Sequence, residues 1–219
     1  MIKLVVFDWN GVLIADTQAI LDTDNDLLRS LGRRPISMQK YRDIFTMPVK
    51  DFFFALGFTE AEMRKDAKKI QETFHRLYEP RAARLRTRGG ARYLLAWLKS
   101  RGISATILSN HTKEGLKVQL NRLGIAHYFD KVITNDKHQT MAQKNKAVKL
   151  RDLVKKSGLK RSEILIIGDS PEEVEAGRAA GVRTVSLTGG YYSTKRLEKA
   201  KPDHLIHTLT RLIDIIKKV

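Results

Sequence analysis

Ile2-Lys3-Leu4-Val5-Val6-Phe7-Asp8-Trp9-Asn10-Gly11-Val12-Leu13 opens the chain with an apolar, partly β-branched run that stops at a carboxylate. Such a run suits a strand buried on both faces, and Asn10-Gly11 permits the sharp, positive-φ turn that follows it. A buried strand that ends this way presents its acid to a loop. If the strand lies parallel to its neighbours, Asp8 stands where open α/β sheets place their ligand crevice, with backbone N–H groups around Gly11 aimed at an anion. Taken alone, the stretch is equally a carboxylate that caps the next turn.

Beyond it, residues 16–78 read as helical and contain no convincing strand. Ala19, Leu27, Leu28 and Leu31 mark one amphipathic helix ending at Gly32, with shorter helices expected over 38–45 and 49–56 and a long one over 59–77. Thr59 and Glu62 have the spacing of a capping box. From residue 86 onward helices and strands alternate. Strands are expected over 103–108, 131–134, 163–167, 182–187 and, at an edge, 204–207; helices are expected over 90–100, 113–123, 145–156, 171–180 and 209–219. Short connections between alternating elements imply right-handed crossovers and a parallel sheet covered on both faces. The expected fold is therefore α/β, a Rossmann-like parallel sheet of residues 1–15 plus 84–219, with residues 16–83 inserted as a small helical cap over the first strand's carboxyl end.

Composition narrows the setting. The chain has 219 residues and no cysteine, which excludes disulfides and thiolate metal sites and fits a reducing, cytoplasmic location. No apolar run is long enough to span a bilayer, and no secretory signal precedes the first strand, so no membrane partner is expected. The formal charge of +17, from 41 Lys+Arg against 24 Asp+Glu, favours anionic partners. A small phosphorylated metabolite is the preferred one. Nucleic acid is less favoured because no basic run is interleaved with regularly spaced aromatics, and heavy Lys/Arg usage also suits heat-adapted surfaces. Oligomeric state is not legible.

The strand ends carry the chemistry. Asp8, Ser109-Asn110 and Gly168-Asp169 all close expected parallel strands, and Lys144 opens the helix after the third, so folding should gather them on one rim. Two acids, a hydroxyl/amide pair and a lysine suit phosphoryl transfer. A carboxylate can attack phosphorus, and Mg²⁺ held by Asp8 and Asp169 would screen the repulsion between two anions. Ser109, Lys144 and backbone N–H groups would hold the equatorial oxygens.

With these residues in order, the chain resembles the haloacid dehalogenase superfamily with a C1-type helical cap, in its phosphoglycolate phosphatase-like branch. The motifs are Asp8-Trp9-Asn10-Gly11-Val12, Ser109 with Asn110, Lys144, and Gly168-Asp169-Ser170-Pro171-Glu172-Glu173. The resemblance implies a Mg²⁺-dependent hydrolase of a small phosphate monoester, working through an aspartyl-phosphate on Asp8. It implies Asp8, the Asn10 carbonyl, Asp169 and Glu173 as metal ligands, Gly11, Ser109, Asn110 and Lys144 around phosphate, and Asp8, Asn10 and Lys144 as the catalytic positions. One departure matters. The family's second Asp, its general acid/base, is Asn10 here, and an amide transfers no proton; the loss of such a group typically costs about 10²- to 10⁴-fold. A phosphate-binding regulatory protein without turnover is one alternative. A phosphonatase- or dehalogenase-type hydrolase is another, since such enzymes also lack the second Asp and Lys50 could serve as a cap lysine.

Other residues have plainer readings beside the functional ones. Glu173 completes a capping box with Ser170 and Pro171, which accounts for it without a metal. Lys146 and Lys149 flank Lys144, but the motif spacing selects Lys144. Thr46, Met47 and Lys50 are the cap positions expected to face the crevice and select substrate. Arg84, Arg86 and Arg88 at the return from the cap are expected on a solvated basic surface, the six histidines lack metal-ligand spacing, and Phe52-Phe53-Phe54 reads as cap core.

Overall fold

The computed structural model describes residues 1–135 and 146–219, and among these six parallel strands form one sheet in the order β3-β2-β1-β4-β5-β6. The strands are β1 (Leu4–Phe7), β2 (Ser104–Thr112), β3 (Lys131–Asn135), β4 (Ile164–Gly168), β5 (Arg183–Leu187) and β6 (His204–Ile206). β1 is central, and every one of its four residues is buried, as an apolar run without alternation requires. Its register pairs Phe7 with Ile107 on one side and with Ile167 on the other. The residues that follow β1 and β4 are therefore neighbours at the same end of the sheet.

Residues 17–82 supply four helices, α1 (Thr17–Ser30), α2 (Met38–Ile44), α3 (Val49–Ala55) and α4 (Glu60–Ala82). The expected capping box starts α4, with Thr59 accepting from Glu62 N and Glu62 accepting from Thr59 N. The helix runs five residues past its expected end at residue 77, through Pro80, because Tyr78 and Ala82 are buried beneath the cap. Leu27, Leu28, Tyr41, Phe52, Phe53 and Ile70 form a core of their own. Tyr192 and Leu197, which come from the sheet side of the chain, join that core and fasten the cap to the sheet.

The sheet is covered by α5 (Ala91–Ser100), α6 (Lys113–Arg122), α7 (Lys146–Ser157), α8 (Pro171–Ala180), α9 (Thr194–Ala200) and α10 (Arg211–Lys218). Two further features differ from the sequence reading. β2 continues past Leu108 to Thr112, with a register irregularity against β3 between those residues, so Ser109-Asn110 lie within an irregular strand end and not in the loop beyond it. The seven-residue α9 has Leu197 as its buried residue, too weak a periodicity to announce a helix. Among the described residues no helix is long and apolar enough to cross a membrane.

Candidate active site

Asp8 follows β1 directly, and its N–H donates to Ile167 O at 3.0 Å, which locks it beside the end of β4. Asp169 leaves β4 one residue past Gly168. Ser170 then caps α8: Glu173 Oε2 accepts from Ser170 N at 3.1 Å and from Ser170 Oγ at 2.7 Å, while Pro171 occupies the first turn. The box turns Glu173 back toward the strand ends, and carboxylate oxygens of Asp8, Asp169 and Glu173 all come within 4.8 Å of one another. All three residues are buried.

One ammonium answers these acids. Lys146, the first residue of α7 and 3% exposed, donates to Asp8 Oδ1 at 2.9 Å and to Glu173 Oε1, with Glu172 Oε2 at 3.9 Å. Motif spacing selects Lys144 for this place; Lys144 lies outside the described residues, and among the described ones the lysine that reaches Asp8 is Lys146.

Among the described residues three buried carboxylates face one buried ammonium, and the electrostatics follow from that imbalance. Burial raises the Asp8 carboxyl, Lys146 pulls it partly back, and Glu173 pushes it up again. Asp169 is raised well above the usual carboxylate range by burial and then by Asp8 and Glu173. Burial would lower the Lys146 ammonium, but Asp8, Glu173 and Glu172 outweigh it and hold it well above its ordinary value. A hard divalent cation with oxygen ligands would correct the imbalance, and the donor set suits Mg²⁺.

Two glycines fix Asp169. A Cβ on Gly11, whose φ is +70°, would lie 2.2 Å from Asp169 Oδ2, and one on Gly190 would lie 1.9 Å from the same atom. Tyr191 N donates to that oxygen at 2.7 Å. The backbone thus closes on the carboxylate from both sides.

Several expected residues meet here with contacts the sequence did not foretell. Gly11 N–H, expected at phosphate, donates to Asp16 Oδ1 at 2.8 Å, and Asn10 Nδ2 donates to Asp16 Oδ2 at 2.6 Å. Asp16 is fully buried and also accepts from Tyr191 Oη at 2.6 Å and Tyr78 Oη at 3.3 Å, so one carboxylate ties the turn after Asp8 to the cap and to the loop after β5. Ser109 Oγ accepts from His111 N at 3.1 Å, leaving its O–H to donate. Asn110 Nδ2 donates to Glu172 Oε2 at 3.2 Å. Arg88, expected on a solvated surface, instead donates to the carbonyls of Gly11 and Thr188 and braces the two loops beside Asp169.

These groups open onto a cavity of about 230 Å³ between cap and sheet. Asp8, Asn10, Ser109, Asn110, Lys146 and Asp169 line its sheet end. Of the three expected cap positions, Met47 lines it; Thr46 and Lys50 are not among its lining residues. Lys50 is exposed with its ammonium 5.4 Å from the Phe54 ring centroid, which removes the geometric support for a Schiff-base lysine. Asp16, Tyr191 and Asp24, also at the cavity or its rim, were missed. The local sequence offers one signal for Asp16, an acid immediately before a helix, and that signal suggests capping alone.

Comparison with known proteins gives the same picture. Residues 5–187 match the family model described as haloacid dehalogenase-like hydrolase. A phosphoglycolate phosphatase of Pseudomonas fluorescens (strain Pf0-1) is 29% identical over 216 residues, covering 96% of this chain and 78% of the relative. One from Synechococcus elongatus is 24% identical, covering 99% of this chain and 98% of the relative. The solved structure of a haloacid dehalogenase-like hydrolase of Streptococcus pneumoniae superposes with a TM-score of 0.81 at 18% identity, covering 98% of each chain, a likeness of fold.

Proposed function

Because the chain belongs to the haloacid dehalogenase-like hydrolases, we propose that it hydrolyses a small phosphate monoester at the sheet end of the cavity, with Asp8 as nucleophile. The observation that carries this reading is the convergence of Asp8, Asp169 and Glu173 within 4.8 Å around Lys146. The curated relatives named phosphoglycolate phosphatase support the reaction class.

In this reading an Asp8 oxygen attacks phosphorus, the P–O bond to the leaving alcohol breaks, and the resulting aspartyl-phosphate is opened by water to regenerate the carboxylate. Lys146, bonded to Asp8 Oδ1, would orient that carboxylate and favour its ionised form against burial. Ser109 O–H and the Asn110 amide would donate to equatorial oxygens as charge redistributes, the latter through the amide hydrogen not given to Glu172. Asp8, Asp169, the Asn10 carbonyl and Glu173, directly or through water, would hold Mg²⁺, which when bound supplies the positive charge the site lacks.

Proton transfer is the weak step. Asn10 cannot protonate the departing alkoxide, and its Nδ2 is engaged by Asp16. Esters with acidic leaving groups should therefore turn over faster than alkyl esters. That same contact favours a second reading, a phosphate-binding protein without turnover. A panel of phosphorylated metabolites, with and without Mg²⁺ and with Asp8→Asn as blank, separates them. Mg²⁺-dependent release of phosphate lost in Asp8→Asn is expected; phosphate-induced stabilisation with no release across the panel would leave the binding reading.

A further inference from the structure

The cap end of the cavity is built differently from the sheet end. Ile20, Asp24 and Leu27 occupy one face of α1, at the i, i+4, i+7 spacing of a stripe that should be apolar throughout. All three line the cavity, together with Phe52, Ile70 and Phe74 from α3 and α4. Asp24 is 6% exposed, and among the described residues its carboxylate makes no hydrogen bond and no ion pair. An acid left alone in an apolar stripe destabilises the fold, since buried polar groups are ordinarily satisfied. Burial pushes its pKa up to about 8. Such a group at the wall of a cavity marks a ligand contact that the empty protein does not make.

The charge census says which ligand. Among the described residues, the basic side chains lining the cavity are His75, His111 and Lys146. Lys146 is committed to Asp8 and Glu173 at the sheet end, His75 stands 3.7 Å from Glu79, and burial lowers the pKa of His111, which keeps it neutral. A leaving group ending in a carboxylate would meet Asp24 in apolar surroundings, with Glu79 at the cavity's exposed edge and no Lys or Arg from the cap. A cavity of about 230 Å³ also holds about seven waters' volume, more than a phosphate needs.

We infer that Asp24 is the specificity determinant for a phosphate monoester whose leaving alcohol has an apolar body ending in an ammonium group. Phosphate would sit at Asp8, the apolar body against Ile20, Leu27, Phe52 and Phe74, and the ammonium at Asp24, with aromatic faces beside it adding to cation binding. The inference rests on the phosphatase reading for the placement of phosphate, and goes beyond it in assigning the substrate's far end.

Binding separates the two. Titration calorimetry with Mg²⁺ present would compare 4-(aminomethyl)benzylphosphonate, 4-methylbenzylphosphonate and 4-carboxybenzylphosphonate on the parent protein and on Asp24→Asn. A charge-assisted hydrogen bond at a buried site corresponds to about tenfold to a hundredfold in Kd. The parent should prefer the amine over the methyl compound by that factor and bind the carboxylate weakest. In Asp24→Asn, verified as folded by its melting curve, the amine preference should shrink to about twofold. Equal binding of amine and methyl compounds, tightest binding of the carboxylate, a preference that survives in Asp24→Asn, or no binding of any of the three overturns the inference. Turnover of the matching phosphate esters is scored separately. Discriminating binding without turnover removes the phosphatase reading and keeps Asp24's role; turnover without discrimination does the reverse.

Discussion

Replacing Lys146 by Met removes an ammonium buried among Asp8, Glu172 and Glu173 while keeping most of the side chain's volume. Its Nζ lies 2.9 Å from Asp8 Oδ1, bonds Glu173 Oε1 and stands 3.9 Å from Glu172 Oε2, with 3% of the residue exposed. Breaking a buried ion pair by removing one partner costs about 3–5 kcal/mol. For a chain of this size each kcal/mol moves the melting temperature by about 2–4 °C, so in EDTA at pH 8 Lys146→Met should melt about 6–20 °C below the parent. The sign with pH follows from the acids left behind. Without Lys146 the Asp8 carboxyl, already raised by burial, rises further above its unfolded value, so the folded state keeps a proton that the unfolded chain has released. The deficit is then small near pH 4–5 and grows as pH rises toward 8. Calorimetric melts at pH 5 and pH 8 measure it, and phosphate release should fall at least a hundredfold. The reasoning is refuted if Lys146→Met melts within 2 °C of the parent at pH 8, a bound about the size of a 1 kcal/mol effect, while Lys144→Met abolishes turnover.

Three further outcomes follow from the same geometry. Asn10→Asp restores a proton donor, so alkyl phosphate turnover should rise about tenfold or more and aryl phosphate turnover much less. It also sets a second carboxyl against Asp16, so the variant should lose stability relative to the parent as pH rises through neutrality; equal rate gains on both ester types would refute the acid/base account. Mg²⁺ at about a hundred times its pH 8 Kd should stabilise the protein by about 2.7 kcal/mol at pH 8, and the same concentration should stabilise it less at pH 5 because protons compete for Asp8 and Asp169; Asp169→Asn should erase the shift in a thermal melt. Burial pushes the Asp24 carboxyl up to about 8 from its ordinary 3.8, so between those values the folded state holds the extra proton and Asp24 makes stability fall with pH. Urea unfolding should show Asp24→Asn gaining on the parent by up to about 1.4 kcal/mol per pH unit over that window; a pH-independent difference would show that Asp24 does not titrate this way.

The fold was legible because its signals are local. Apolar runs closed by Asp8, Ser109 and Gly168 define strands, and the ends of parallel strands lie on one rim whatever the loops do. The acids of the site were legible for the same reason. Lys146 was not, because Lys144, Lys146 and Lys149 crowd one helix start and motif spacing cannot resolve a two-residue difference there. Asp16 owes its role to Tyr191, 175 positions away, and no local pattern encodes that approach. Asp24 was hidden by an amphipathic reading that scored the apolar members of α1 and passed over the acid among them. Arg88 read as surface charge because its partners are backbone carbonyls, which the sequence does not display.

Gly11 and Gly190 stand on either side of Asp169 at separations that leave room for a hydrogen and nothing larger. At these two positions even alanine, the smallest possible addition, would push the carboxylate out of the acid trio. The fit around this carboxylate is therefore set by two absent side chains, and a library randomised there should yield folded proteins in which the three acids no longer converge.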